Sequence, residues 1–312
     1  MTTAINNNKY LYIITYHRIY EELCKLEMKS IFGKTRNNDY HFCSDDISVS
    51  RSTFIKGRIN ILYSGTTIDE IENDMVSDNL EFDDYKIRYI KFDEVPYTVR
   101  LSAMRKLGYT IEGEFAIKNA KVNFALTKLD NLWIFGIFEN NAHEWLKRKQ
   151  KPFNYSNALE VRLAKTVVNI AIKNDFSLKL VDPCSGIGTI LIEALSMGID
   201  IEGYEINHFV KRNANTNLEH FGFEPITKKM NMHDINEHYD VAILDLPYGQ
   251  FSSTTQEEQI MLLKKTKEIS DRSVIITMID MSDILMSLGY VIEDICQIEK
   301  SLAFSRYITV CN

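Results

Sequence analysis

Cysteine is sparse and scattered. Cys24, Cys43, Cys184, Cys296 and Cys311 are odd in number and never spaced Cys-x-x-Cys. A disulfide framework and a structural zinc site are therefore not expected, and a reducing cytoplasm is the expected setting. The seven histidines lack paired ligand spacing, so no catalytic metal is expected either. No apolar run approaches the ~18 residues that cross a bilayer. The opening Met1-Thr2-Thr3-Ala4-Ile5-Asn6-Asn7-Asn8-Lys9 has no apolar segment of the signal-peptide kind. An excess of positive charge is also missing. Lys and Arg number 36 against 43 Asp and Glu, a net charge of −7, which argues against coating nucleic acid by bulk electrostatics while leaving room for one local basic strip. There is no internal repeat of 20–50 residues and no low-complexity tract beyond the Asn-rich start. Proline is scarce, with five residues, and Pro152, Pro183 and Pro247 each fall where a junction or loop is expected.

What is present divides in two. Up to about residue 140 the chain reads as short alternating elements. Strand-like runs lie at 10–16, 54–63, 85–92, 121–129 and 132–138. Helical patterns lie at 19–32, 66–79 and 98–107, the first closed by Gly33 and the last by Gly108. This predicts an α+β domain over 1–140. Residues 141–157 form a basic, aromatic linker. From 158 the pattern turns to strand–helix alternation: apolar runs at 178–181, 199–206, 239–246 and 273–279, a weaker one at 226–230, and amphipathic helices between them. Two adjacent strands at 291–298 and 303–310 predict a terminal hairpin. The expectation for 158–312 is a doubly wound, mostly parallel α/β sheet with a C-terminal antiparallel hairpin.

The chemistry concentrates at two turns. Val181-Asp182-Pro183-Cys184-Ser185-Gly186-Ile187-Gly188-Thr189 lies at a strand-to-helix junction, where glycines let backbone approach a ligand. A dinucleotide site would need a third glycine where Leu191 stands, and a triphosphate loop would need Gly-Lys-Ser/Thr, which is absent. The loop suits a less anionic, adenosine-bearing ligand. Glu205, at the end of the next strand, is spaced to accept ribose hydroxyls. The second turn, Asp245-Leu246-Pro247-Tyr248-Gly249, follows an apolar strand. There a carboxylate and the Leu246 carbonyl could accept both N–H groups of an exocyclic amine, and Tyr248 could stack on its ring.

These two motifs together resemble those of the class I S-adenosylmethionine-dependent methyltransferases acting on exocyclic amines of nucleobases, a Rossmann-like fold. Lys151-Pro152-Phe153 followed by Val161-Arg162-Leu163-Ala164-Lys165 is similar to the opening of the catalytic domain in tRNA guanine-N2 methyltransferases of the Trm11 and archaeal Trm-G10 type. Ser301-Leu302 with Arg306 is similar to their closing hairpin, and Ile117-Lys118-Asn119-Ala120-Lys121-Val122 to the end of their THUMP domain. The resemblance covers 150–312 strongly and the N-terminal part weakly. It implies that Asp182, Pro183, Cys184, Ser185, Gly186 and Gly188 line the methionine side of S-adenosylmethionine. It further implies that Glu205 holds the ribose, Ile206 meets the adenine and Asp234 bonds the adenine amine, while Asp245, Leu246, Pro247 and Tyr248 grip the target base. Methyl transfer to guanine N2 of tRNA is the implied activity; adenine N6 and a DNA substrate present similar chemistry. Leu246 stands where the family has proline, and with the acidic net charge it motivates a competing class, a cofactor-binding module without turnover. For gripping RNA by charge, Lys147, Arg148, Lys149 and Lys151, beside Trp145, form the candidate strip.

Overall fold

The computed structural model describes residues 9–33, 39–92, 94–116, 118–155, 158–247, 254–301 and 304–312. The chain divides into two compact units, one of residues 1–15 and 37–142, the other of residues 16–36 and 143–312. One division falls between residues 142 and 143, and residues 16–36, expected in the N-terminal domain, group with the second unit.

The first unit carries a six-stranded sheet in the order β2-β1-β3-β6-β5-β4, built from β1 (Tyr10–Ile14), β2 (Tyr40–Cys43), β3 (Ile55–Gly65), β4 (Tyr85–Tyr89), β5 (Val122–Leu129) and β6 (Leu132–Asn140). All neighbours are antiparallel except β4 and β5, which need a crossover. The helices α2 (Ile68–Ser77) and α3 (Tyr97–Thr110) supply Ile71, Met75, Ala103 and Leu107 to a core with Phe124, Trp133 and Phe135. Gly108 does not end α3 as expected. The helix runs two residues further, with the Tyr85 hydroxyl donating to the Gly108 carbonyl at 2.8 Å.

The second unit holds seven strands in the order β12-β13-β11-β10-β7-β8-β9. The strands are β7 (Leu180–Asp182), β8 (Ile201–Glu205), β9 (Thr227–Lys229), β10 (Tyr239–Asp245), β11 (Ser270–Thr277), β12 (Ile292–Ser301) and β13 (Phe304–Cys311). β9, β8, β7, β10 and β11 run parallel, while β13 is antiparallel to β11 and β12. That is the doubly wound sheet with a closing hairpin that the alternation predicts. The order reverses between β7 and β10, whose carboxyl ends lie side by side, the place where open α/β sheets bind ligands.

Helices α4 (Val161–Ile172), α5 (Thr189–Leu195) and α6 (His208–His220) pack successively on one another. α7 (Gln256–Ile269), opened by a Thr255–Glu258 capping box, and α8 (Ser282–Ser287) receive Leu244 and Leu246 of the β10 segment. By the two-residue alternation of a strand, Asp245 points to the opposite face. α1 (Glu21–Phe32) packs on α4 and β12: Asn169 Nδ2 donates to Glu27 Oε1 at 2.6 Å, and Lys29 pairs with Asp294 at 2.5 Å. Among the described residues no helix is long and apolar enough to cross a membrane.

Candidate active site

The loop after β7 is shaped by its own hydrogen bonds. Ser185 N–H donates to the Tyr204 carbonyl and Gly188 N–H to the Ser185 carbonyl, both at 2.8 Å. Gly186 (φ +52°) and Gly188 (φ +80°) adopt the left-handed conformation that glycine tolerates best, and a Cβ on Gly186 would project into open space. The third dinucleotide glycine is absent for a visible reason. Leu191 fills the space between α5 and β8, and it is the strand that gives way: a Cβ on Gly203 would come within 2.4 Å of the Leu191 side chain.

Asp182, Cys184, Ser185, Gly186, Thr189 and Asp245 share one cleft. The two turns far apart in sequence therefore meet. Tyr155, Ala158 and Leu159, from the segment before α4, and Val210 of α6 complete its walls; sequence reasoning missed these, because nothing local marks them. The cleft encloses about 600 Å³, its open mouth included, within the ~300–1,000 Å³ of small-molecule sites.

Its electrostatics are acidic. Asp182 is buried, accepts Cys184 N–H at 3.3 Å, and is held well above the usual carboxylate range by burial and by the neighbouring Asp245 charge. Burial lifts Asp245 to about 6, with the Arg306 charge opposing. Glu205 accepts Gly186 N–H at 3.1 Å and Asn207 N–H at 2.7 Å, tying the glycine loop to the start of α6. Burial raises its pKa while those N–H groups hold it down.

The remaining expected residues fall as follows. Pro183 and Gly188 shape the loop without lining the cleft. Ile206 is 62% exposed just beyond Glu205. Asp234 is exposed at the end of a short 3-10 turn and is not among the residues lining the cleft. The Leu246 side chain is buried among Leu244, Leu263 and Leu285, and the Pro247 carbonyl accepts Gln259 Nε2 at 3.0 Å. Tyr248, Gly249, Leu302 and Ile117 lie outside the described residues. The four cations of the basic strip differ in their surroundings. Arg148 is engaged by Glu193 of α5, Lys151 is buried with its ammonium 2.6 Å from Thr189 Oγ1, Lys147 pairs with Glu144, and Lys149 sits over the Trp145 ring. Two of the four cations are thus turned inward. Among the described residues no group of three His, Cys, Asp or Glu side chains could hold a metal ion.

Residues 148–282 match the UPF0020 family, described as RMKL-like, methyltransferase domain. The chain is similar to a tRNA (guanine(10)-N2)-dimethyltransferase of Methanothermobacter thermautotrophicus, 31% identical over 37% of this chain and 35% of that one. It is likewise similar to a tRNA (guanine(10)-N2)-dimethyltransferase of Pyrococcus abyssi, 31% identical over 44% of this chain and 43% of that one. The matches thus span well under half the length of these two relatives. Among solved structures, TrmN from Thermus thermophilus is 12% identical, with 97% of this chain and 99% of that chain covered at a TM-score of 0.48.

The cleft fits the cofactor of such a domain. Two buried oxygens, Ser185 Oγ and Asp245 Oδ1, have no hydrogen-bond partner among the described residues, and a ligand with polar groups would satisfy both. The open space over Gly186 lets backbone touch that ligand, and the acids suit one bearing an ammonium and a sulfonium. Over residues 148–282, then, the chain is similar to a methyltransferase domain of the UPF0020 kind.

Proposed function

We propose that the protein transfers a methyl group from S-adenosylmethionine to an exocyclic amine of a nucleobase in RNA, guanine N2 of tRNA being the substrate that its similarity to the two dimethyltransferases favours. The observation that carries the reading is Asp245, an aspartate at the end of β10 that lines the cleft beside Asp182, with one buried oxygen unpartnered among the described residues.

The donor supplies an already activated methyl group, so no covalent enzyme intermediate is required. The acceptor amine is the difficult partner, because its lone pair is delocalised into the base. Asp245, accepting an N–H, and the Leu246 carbonyl beside it would favour localising that lone pair toward the methyl. Asp245 then stabilises the positive charge developing on nitrogen, which is relieved when the amine loses a proton to water. Burial of Leu246 in the core fixes the turn that its proline-bearing counterparts rigidify in another way. Asp182, Ser185, Gly186 and Glu205 would hold the donor in line, and positioning supplies much of the remaining rate effect. The base must leave its stack to enter. For the first unit we infer a THUMP-like, RNA-holding role. Its α3 presents Tyr97 and Tyr109, 67% and 91% exposed, with exposed Arg105, rings and a cation of the kind on which unpaired bases stack.

The test is incubation with unmodified tRNA transcript and methyl-labelled S-adenosylmethionine, followed by nucleoside analysis. Label in N2-methylguanosine, lost with Asp245→Ala, is expected. Label only in N6-methyladenosine corrects the base, and no label in any nucleoside with either protein overturns the activity.

A further inference from the structure

The inward-turned Lys151 sits directly behind the wall of the same cleft, bonded to a residue that lines it. It is 9% exposed, and its Nζ lies 2.6 Å from Thr189 Oγ1, whose residue opens α5 and lines the cleft. The counter-charge acting on it is Glu193, one turn along α5 on the face it shares with Thr189. Glu193 is already engaged: Arg148 Nε reaches its Oε1 at 2.6 Å and Arg148 Nη2 its Oε2 at 2.7 Å. Two cations thus surround one fully buried carboxylate. The surplus is a positive charge buried against the cleft wall, an arrangement that costs free energy unless an anion completes it. Burial accordingly pulls the Lys151 ammonium down to about 8. Ser185 Oγ, in the loop just before Thr189, is likewise buried with no hydrogen-bond partner among the described residues.

The named donor carries one anionic group, its α-carboxylate, and two cationic ones, the α-ammonium and the sulfonium. Asp182, Asp245 and Glu205 put the negative side chains at the carboxyl ends of β7, β10 and β8, whereas Lys151 puts a cation at the Thr189 end. We propose that Lys151 is the binding residue for the α-carboxylate of S-adenosylmethionine, held in place by Thr189 and kept cationic in surplus by the Arg148–Glu193 pair. The proposal rests on the cleft being the donor site.

The test titrates the full-length protein calorimetrically with S-adenosylhomocysteine, which retains the amino-acid part, and with 5′-methylthioadenosine, which lacks it. Lys151→Met should weaken S-adenosylhomocysteine about 10- to 100-fold, the range of a lost charge-assisted hydrogen bond, and leave 5′-methylthioadenosine within about twofold. Equal weakening of both ligands, or no change in either, overturns the assignment. A second measurement needs no variant. The unaltered protein should bind decarboxylated S-adenosylmethionine about 10- to 100-fold more weakly than S-adenosylmethionine itself, and equal affinities also overturn it. If the unaltered protein binds none of these ligands, the donor site itself is refuted, a result distinct from the failure of Lys151 alone.

Discussion

In the proposed transfer Asp245 has two duties that oppose each other. To accept an N–H it must be ionised, yet its burial favours the protonated form and lifts it to about 6 from 3.8. The pH profile of kcat/KM for the donor, which reports the ligand-free protein, should therefore rise along a limb centred near 6, and Asp245→Asn should remove that limb with about a 100-fold or greater loss. Stability runs the other way. Between the unfolded value and about 6 the folded state holds more protons, so stability falls as pH rises through that window and stays lower above it. Asp245→Asn is expected to raise the apo protein's stability at pH 7 by up to about 3 kcal/mol, and to leave it unchanged below pH 4, in denaturant melts at both pH values. Asp245 and the glycine loop are legible in sequence because each is a short local pattern at a strand end. The role of Lys151 is not, because four basic side chains in five positions read alike until tertiary packing decides which are buried.

Elements show the same limit. The strand–helix alternation of the second unit follows from apolar runs between amphipathic stretches, and the parallel order came out as expected. Gly108 misled because a glycine reads as a helix stop, whereas here it lies within α3, where a Cβ would meet Ile87 Cδ1 of β4 at an ordinary contact of 3.6 Å. At Gly203 the constraint is strict. Gly203→Ala would drive a methyl group into the Leu191 side chain in a fully packed layer. A loss of about 1–3 kcal/mol is expected by chemical denaturation, and Gly203→Ala combined with Leu191→Ala should lose less than the sum of the two single changes. α5 depends equally on its buried ion pair. Glu193→Ala strands Arg148 and Lys151 together, and a loss of about 3–5 kcal/mol is expected in the same assay.

For the molecule as a whole, the division into units is the part that sequence left hidden. An amphipathic helix such as α1 shows that it has an apolar face but not against which core that face lies. Residues 16–36 read as a piece of the N-terminal domain because they are flanked by its strands, yet Leu23, Leu26 and Ile31 are buried in the second unit, with Asn174 Nδ2 bonded to the Ile31 carbonyl at 2.7 Å. A fragment of residues 143–312 alone should be less stable than the same fragment supplied with a peptide of residues 16–36, and adding that peptide should raise its melting temperature. No stabilisation on addition would mean that α1 contributes nothing to the second core.

The path of the backbone has a further consequence. The chain leaves the first unit after residue 15, re-enters it by residue 37 and leaves again after residue 142, so the two bodies are sewn together by three stitches rather than one. A protease that severs any single stitch releases neither half, and gene fusions or domain exchanges that treat the catalytic half as one continuous cassette will cut away a wall of its own interior.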